Sequence, residues 1–95
     1  MRLTQSQSDF LKQSLLKLEP TSEVYLFGSR ALTSERGGDI DILWLTPSKM
    51  PQSRLRALRV AFFQEFGWQK LDIVNFCFSE EAPFKQIALQ QAVRL

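Results

Sequence analysis

Asp39 and Asp41 are the residues on which chemistry could rest. They stand two apart in Gly37-Gly38-Asp39-Ile40-Asp41-Ile42-Leu43, and Asp39 follows the Gly28 of Leu26-Phe27-Gly28-Ser29-Arg30-Ala31 by eleven residues. Side chains two apart on a strand point the same way, with Cα atoms roughly 6.5 Å apart, so the two carboxylates share a face while Ile40 and Ile42 enter the core. Such a pair can converge on one or two hard cations. Gly28, without a Cβ, lets the backbone approach phosphate oxygens, and the Ser29 hydroxyl with nearby N–H groups can donate to them. The pattern reads as a phosphate cradle facing a metal site. Arg30 either clamps a phosphate bidentately or points to solvent.

A third carboxylate, Asp72 in Leu71-Asp72-Ile73-Val74, joins the pair if its strand lies beside that of Asp39 and Asp41. Otherwise it is an edge-strand carboxylate facing water. Like charges about 4 Å apart repel by about 4 kcal/mol per pair at an effective dielectric near 20, so the trio calls for a cation. With no His and one Cys, zinc is a poor fit and Mg²⁺ a good one. Two Mg²⁺ ions would bridge the carboxylates and a nucleotide's phosphates in an in-line displacement.

The elements that must position these groups can be read in outline. Phe10, Leu11, Leu15 and Leu18 recur at helical spacing over 5–18, after Ser and Gln residues suited to an N-cap and before Pro20. Glu23 to Phe27 is a buried strand stopping at Gly28. A short helix is expected from Ser29 to Leu32, then a polar Gly-rich loop to Gly38. A central strand follows from Asp39 to about Leu45. Leu55, Leu58, Phe62 and Phe66 define a second helix ending at Gly67. Trp68 to Phe78 alternates as a third strand, with Asp72, Val74 and Phe76 on one face and Leu71, Ile73 and Asn75 on the other. Ser79 is expected to cap a last helix with Glu80 and Glu81 in its first turn and Phe84, Ile87 and Leu95 along one stripe. Trp44, Phe62, Phe63, Phe66 and Trp68 read as core, and Cys77 as a small buried hydrophobe.

Ninety-five residues at 44% hydrophobic and 23% charged fit one compact domain, 1–95, of α/β class. A net charge of +2, from twelve basic and ten acidic residues, argues against nucleic acid as the leading ligand. Lys49, Arg54, Arg56 and Arg59 read as a solvated helix face, with an acidic partner or nucleic acid as the other option. Eight Phe and two Trp supply enough apolar area for a surface that meets another chain, in a homo- or hetero-oligomer. One cysteine and no apolar run suited to a signal or a membrane span predict a cytoplasmic protein.

Gly28-Ser29-Arg30-Ala31 followed by Gly38-Asp39-Ile40-Asp41-Ile42 resembles the signature of the minimal nucleotidyltransferases of the DNA polymerase β superfamily, and the length resembles members paired with HEPN-domain proteins in toxin–antitoxin modules. The resemblance implies a small mixed sheet of three to four strands flanked by helices. It implies that Asp39 and Asp41 bind Mg²⁺, that Asp72 completes the metal site and helps deprotonate an acceptor hydroxyl, and that Gly28 and Ser29 hold the β and γ phosphates. Gly38 stands where many relatives place Ser before the first Asp, which leaves the metal ligands intact. The implied activity is transfer of a nucleoside monophosphate, AMP from ATP, to a hydroxyl of a HEPN partner, with this chain as antitoxin. The competing readings are neutralisation of that partner by binding alone, and transfer to a small molecule or a nucleic-acid end.

Overall fold

The computed structural model describes residues 3–28 and 39–95. Helix α1 (Gln5–Leu18) leads to strand β1 (Glu23–Phe27); β2 (Asp39–Thr46), α2 (Gln52–Phe66) and β3 (Lys70–Cys77) form a β-α-β crossover; α3 (Pro83–Gln91) and the two-residue β4 (Val93–Arg94) follow. The strands form one mixed sheet in the order β3-β2-β1-β4, antiparallel except for the parallel β2–β3 pair. This is the α/β architecture expected from the sequence, with β2 central. The expected short helix from Ser29 and loop to Gly38 lie outside the described residues.

Alternation decides which sheet face each helix covers. Val24, Leu26, Ile40, Ile42, Trp44, Leu71 and Ile73 project to one face, where Leu11 and Leu15 of α1 and Leu55, Leu58 and Phe62 of α2 complete the main core. Edge-to-face contacts of Phe10 with Phe62 and Phe66, at 5.9 and 5.6 Å between ring centres, close the seam between these helices. The opposite face carries Leu43 and Leu45, covered by Ala88 and Leu89 of α3. This second cluster leaves the Asp39 end of β2 to other neighbours.

The parallel register is pinned by a buried amide. Asn75 Nδ2 donates to the Trp44 carbonyl (3.1 Å) and Thr46 Oγ1 (3.0 Å), and its Oδ1 accepts from the Met50 N–H (2.9 Å). Because side chains alternate, a one-residue slip would turn all of β3 over. On the outer edge of β3, Arg59 Nε donates to the Leu71 carbonyl and Lys49 Nζ to that of Asn75, each at 3.0 Å. Two of the four basic residues expected on a solvated face therefore satisfy acceptors of an edge strand.

Several boundaries differ from the sequence reading. Thr4, ahead of the Ser and Gln residues, caps α1 in a reciprocal box with Gln7. Trp68 is 79% exposed rather than in the core, because Gly67, at φ +85°, ends α2 and turns the chain outward, leaving the indole against Phe63. Ser79 does not cap the last helix. Residues 77–80 form a turn in which Glu80 N–H donates to the Cys77 carbonyl and Glu80 Oε1 accepts from the Cys77 N–H. The helix begins only at Pro83, whose missing N–H costs nothing at a first helical position. Phe84 and Ile87 are exposed, Lys85 and Ala88 are the buried residues of α3, and Leu95 lies beyond the helix, bonded to the Val24 carbonyl. Cys77 is half-buried.

Candidate active site

β2 begins with an alternation of half-exposed and buried residues, because Asp39 and Asp41 are flanked by Ile40 and Ile42, both fully buried, while each Asp remains partly exposed. Asp41 lies in register with Phe27 on β1 and with Asp72 on β3, and Asp39 with Lys70. Register partners project to the same side of a sheet, with neighbouring strands about 4.8 Å apart. Asp39, Asp41, Asp72 and Lys70 therefore form four corners of one patch, three acids and one base, at the end of the sheet where β2 and β3 start and β1 stops.

Gly28 brings the end of β1 onto this patch. Its φ of +78° belongs to the left-handed region, and a Cβ built on it would lie 2.6 Å from Asp41 Oδ2. Two constraints thus converge on glycine, one from the backbone angle and one from a carboxylate oxygen that fills the space of a side chain. Ser29 and Arg30, the other residues expected to hold phosphate, lie outside the described residues.

The left-handed Gly28 thus stands against one of two alternating carboxylates, with a third in register beside it. A family model of the nucleotidyltransferase domain matches residues 9–95. The chain belongs to the nucleotidyltransferase domain family.

Solved structures support the same fold for this nucleotidyltransferase domain. A chain of a mutant MntA–HpeT toxin–antitoxin crystal structure superposes with a TM-score of 0.69 at 21% identity, over 93% of this chain and 69% of that one. A chain in the structure of the tri-AMPylated HEPN toxin of Shewanella oneidensis in complex with MNT antitoxin gives 0.69 at 20% identity, over 97% and 71%. A further Shewanella oneidensis structure gives 0.58 at 16% identity, over 98% and 71%. A comparison with curated proteins finds no match.

The donor set of this nucleotidyltransferase domain fits the hard divalent cation its family implies. Carboxylate oxygens are the ligands Mg²⁺ prefers, and Gly28, lacking a Cβ, leaves room for the Asp41 carboxylate to stand against the end of β1. Among the described residues, no three Asp, Glu, His or Cys side chains converge as they stand into a group that could hold a metal ion. Positive charge is supplied by Lys70, whose Nζ lies 3.7 Å from Asp39 Oδ2 and 3.9 Å from Asp72 Oδ2. Lys70 was not singled out from the sequence, although its position two residues before Asp72 on an alternating strand places it on the same face. Among the described residues, no helix is long and apolar enough to cross a membrane.

Proposed function

We propose that the chain is a minimal nucleotidyltransferase, one domain over 1–95, that transfers AMP from ATP to a hydroxyl of a partner protein and serves as the antitoxin of a HEPN/MNT pair. The observation that carries this reading is the left-handed Gly28 seated against Asp41, with Asp72 beside it in register. Asp39, Asp41 and Asp72 would hold one or two Mg²⁺ ions, which when bound neutralise phosphate charge and orient the α-phosphoryl group. Gly28 opens the backbone to the β and γ phosphates, assisted by Ser29, while Arg30 clamps the tail or faces solvent. Asp72, half-exposed on the edge strand, takes the proton of the acceptor hydroxyl. The freed oxygen attacks the α-phosphorus, the bond from that phosphorus to the bridging oxygen breaks, and pyrophosphate leaves.

The HEPN partner is supported by what the similar solved structures contain, an MNT antitoxin with a HEPN toxin. Neutralisation by contact alone is the second reading, favoured by the exposed Phe84, Ile87 and Val93 beside the second core. Incubation with Mg²⁺, ATP and a HEPN protein encoded beside this chain, followed by intact-mass spectrometry, separates them. AMP addition is expected with the native chain and absent with Asp39→Asn, Asp41→Asn. A stable complex without an adduct from any of the four nucleotides would establish the contact reading.

A further inference from the structure

The patch described above already holds a cation of its own. Lys70 is the partner of Asp39 across the strand pair and the same-face neighbour of Asp72 along β3, and its ammonium lies within 4 Å of both. Asp41 occupies the corner diagonal to it. Both ion pairs are about half-exposed, a setting in which they are weak enough to exchange. An ammonium and a Mg²⁺ ion compete for the same oxygen lone pairs, and a cation entering between Asp39 and Asp72 would meet Lys70 at close range.

We propose that Lys70 is the resident cation of the metal-free site, holding Asp39 and Asp72 until a divalent ion displaces it. Occupancy of these carboxylates by Lys70 and by metal is then mutually exclusive, and Lys70 sets the divalent concentration at which the site fills. The inference rests on the nucleotidyltransferase reading of the carboxylates. It assigns Lys70 a positioning role in the empty site and a competitive one during loading. The displaced side chain, four methylenes long and already half in water, reaches solvent without any backbone change.

The test is nucleotide-free Mn²⁺ binding, followed by electron paramagnetic resonance of the free ion, with thermal unfolding in chelator run in parallel. Four proteins are compared: native, Lys70→Met, Lys70→Arg and Lys12→Met. Lys12→Met removes the same charge from an exposed position on α1. Lys70→Met is expected to bind Mn²⁺ about three- to tenfold more tightly than the native chain, the size set by losing two half-exposed ion pairs. It should also unfold at a lower temperature in chelator and gain more from added Mn²⁺. Lys70→Arg and Lys12→Met should stay near native. Equal Mn²⁺ affinity in all four proteins would overturn the role of Lys70 while leaving the carboxylate site standing. No Mn²⁺ binding by any of them would overturn both.

Discussion

Adding one methyl group at Gly28 separates backbone strain from damage to the site, because Gly67 supplies the control. Both glycines have positive φ, but a Cβ at Gly67 meets nothing within 4 Å, whereas at Gly28 it meets Asp41 Oδ2. Gly28→Ala and Gly67→Ala should each lower the unfolding free energy by about 1–3 kcal/mol in urea titrations, since both backbones sit at φ values an alanine rarely adopts. Only Gly28→Ala should also weaken Mn²⁺ binding, since it must push a ligand aside. Tyr25 offers a second local probe. Its hydroxyl donates to Glu23 Oε1 at 2.7 Å, and its pKa is raised above 10.0 first by burial and then by the hydrogen bond and the charge of Glu23. A raised pKa means the folded state holds the phenol proton more tightly, so the stability it contributes is complete below pH 10.0 and is lost as pH rises through the folded value. Tyr25 is the sole tyrosine, so tyrosinate absorbance reads it alone. The midpoint should lie above 10.0 in the folded chain, return to about 10 in denaturant, and fall toward it in Glu23→Gln.

At the scale of elements, the site depends on two strands meeting in one register, and Asn75 is the residue that fixes it. Asn75→Ala would leave the Met50 N–H and the Trp44 carbonyl without their side-chain partner. A loss of about 1–3 kcal/mol is expected by chemical denaturation, with faster hydrogen exchange in β3 than in β1. The strand alternation that places Asp39, Asp41 and Asp72 on one face was legible in the sequence, because Ile40, Ile42, Leu71 and Ile73 between and beside them mark the other, buried face. The start of α3 was not. Its buried position is filled by Lys85, whose ammonium donates to the carbonyls of Cys77, Phe78 and Glu80 at 3.1, 2.7 and 2.8 Å, so a charged residue occupies a place that pattern reading reserves for an apolar one. Two-residue β4 has no period to detect, and it meets β1 through long-range bonding alone. Lys70 escaped for a related reason: alternation puts it beside Asp72, but Asp39 lies 31 residues away in sequence, and only the register brings the two acids to it.

Across the whole molecule, the sheet divides its labour between faces and between ends. One face is sealed by α1 and α2; the other is dry where α3 covers Leu43 and Leu45 and wet where the carboxylates stand. The wet end is built from the margins of three strands, so no single element owns it. The 2.6 Å approach that a Gly28 Cβ would make to Asp41 has a thermodynamic meaning as well as a steric one. Gly28 and the Asp41 carboxylate share a boundary, with the carboxylate oxygen in the place a side chain at 28 would take. A ligand held against Gly28 would therefore bias the carboxylate, and a cation held by the carboxylate would bias what Gly28 can receive. On the proposed function, nucleotide and divalent ion bound to such a pair would be linked, each changing the affinity of the other by the same factor, so the order of their arrival would be immaterial to the free energy of the loaded site.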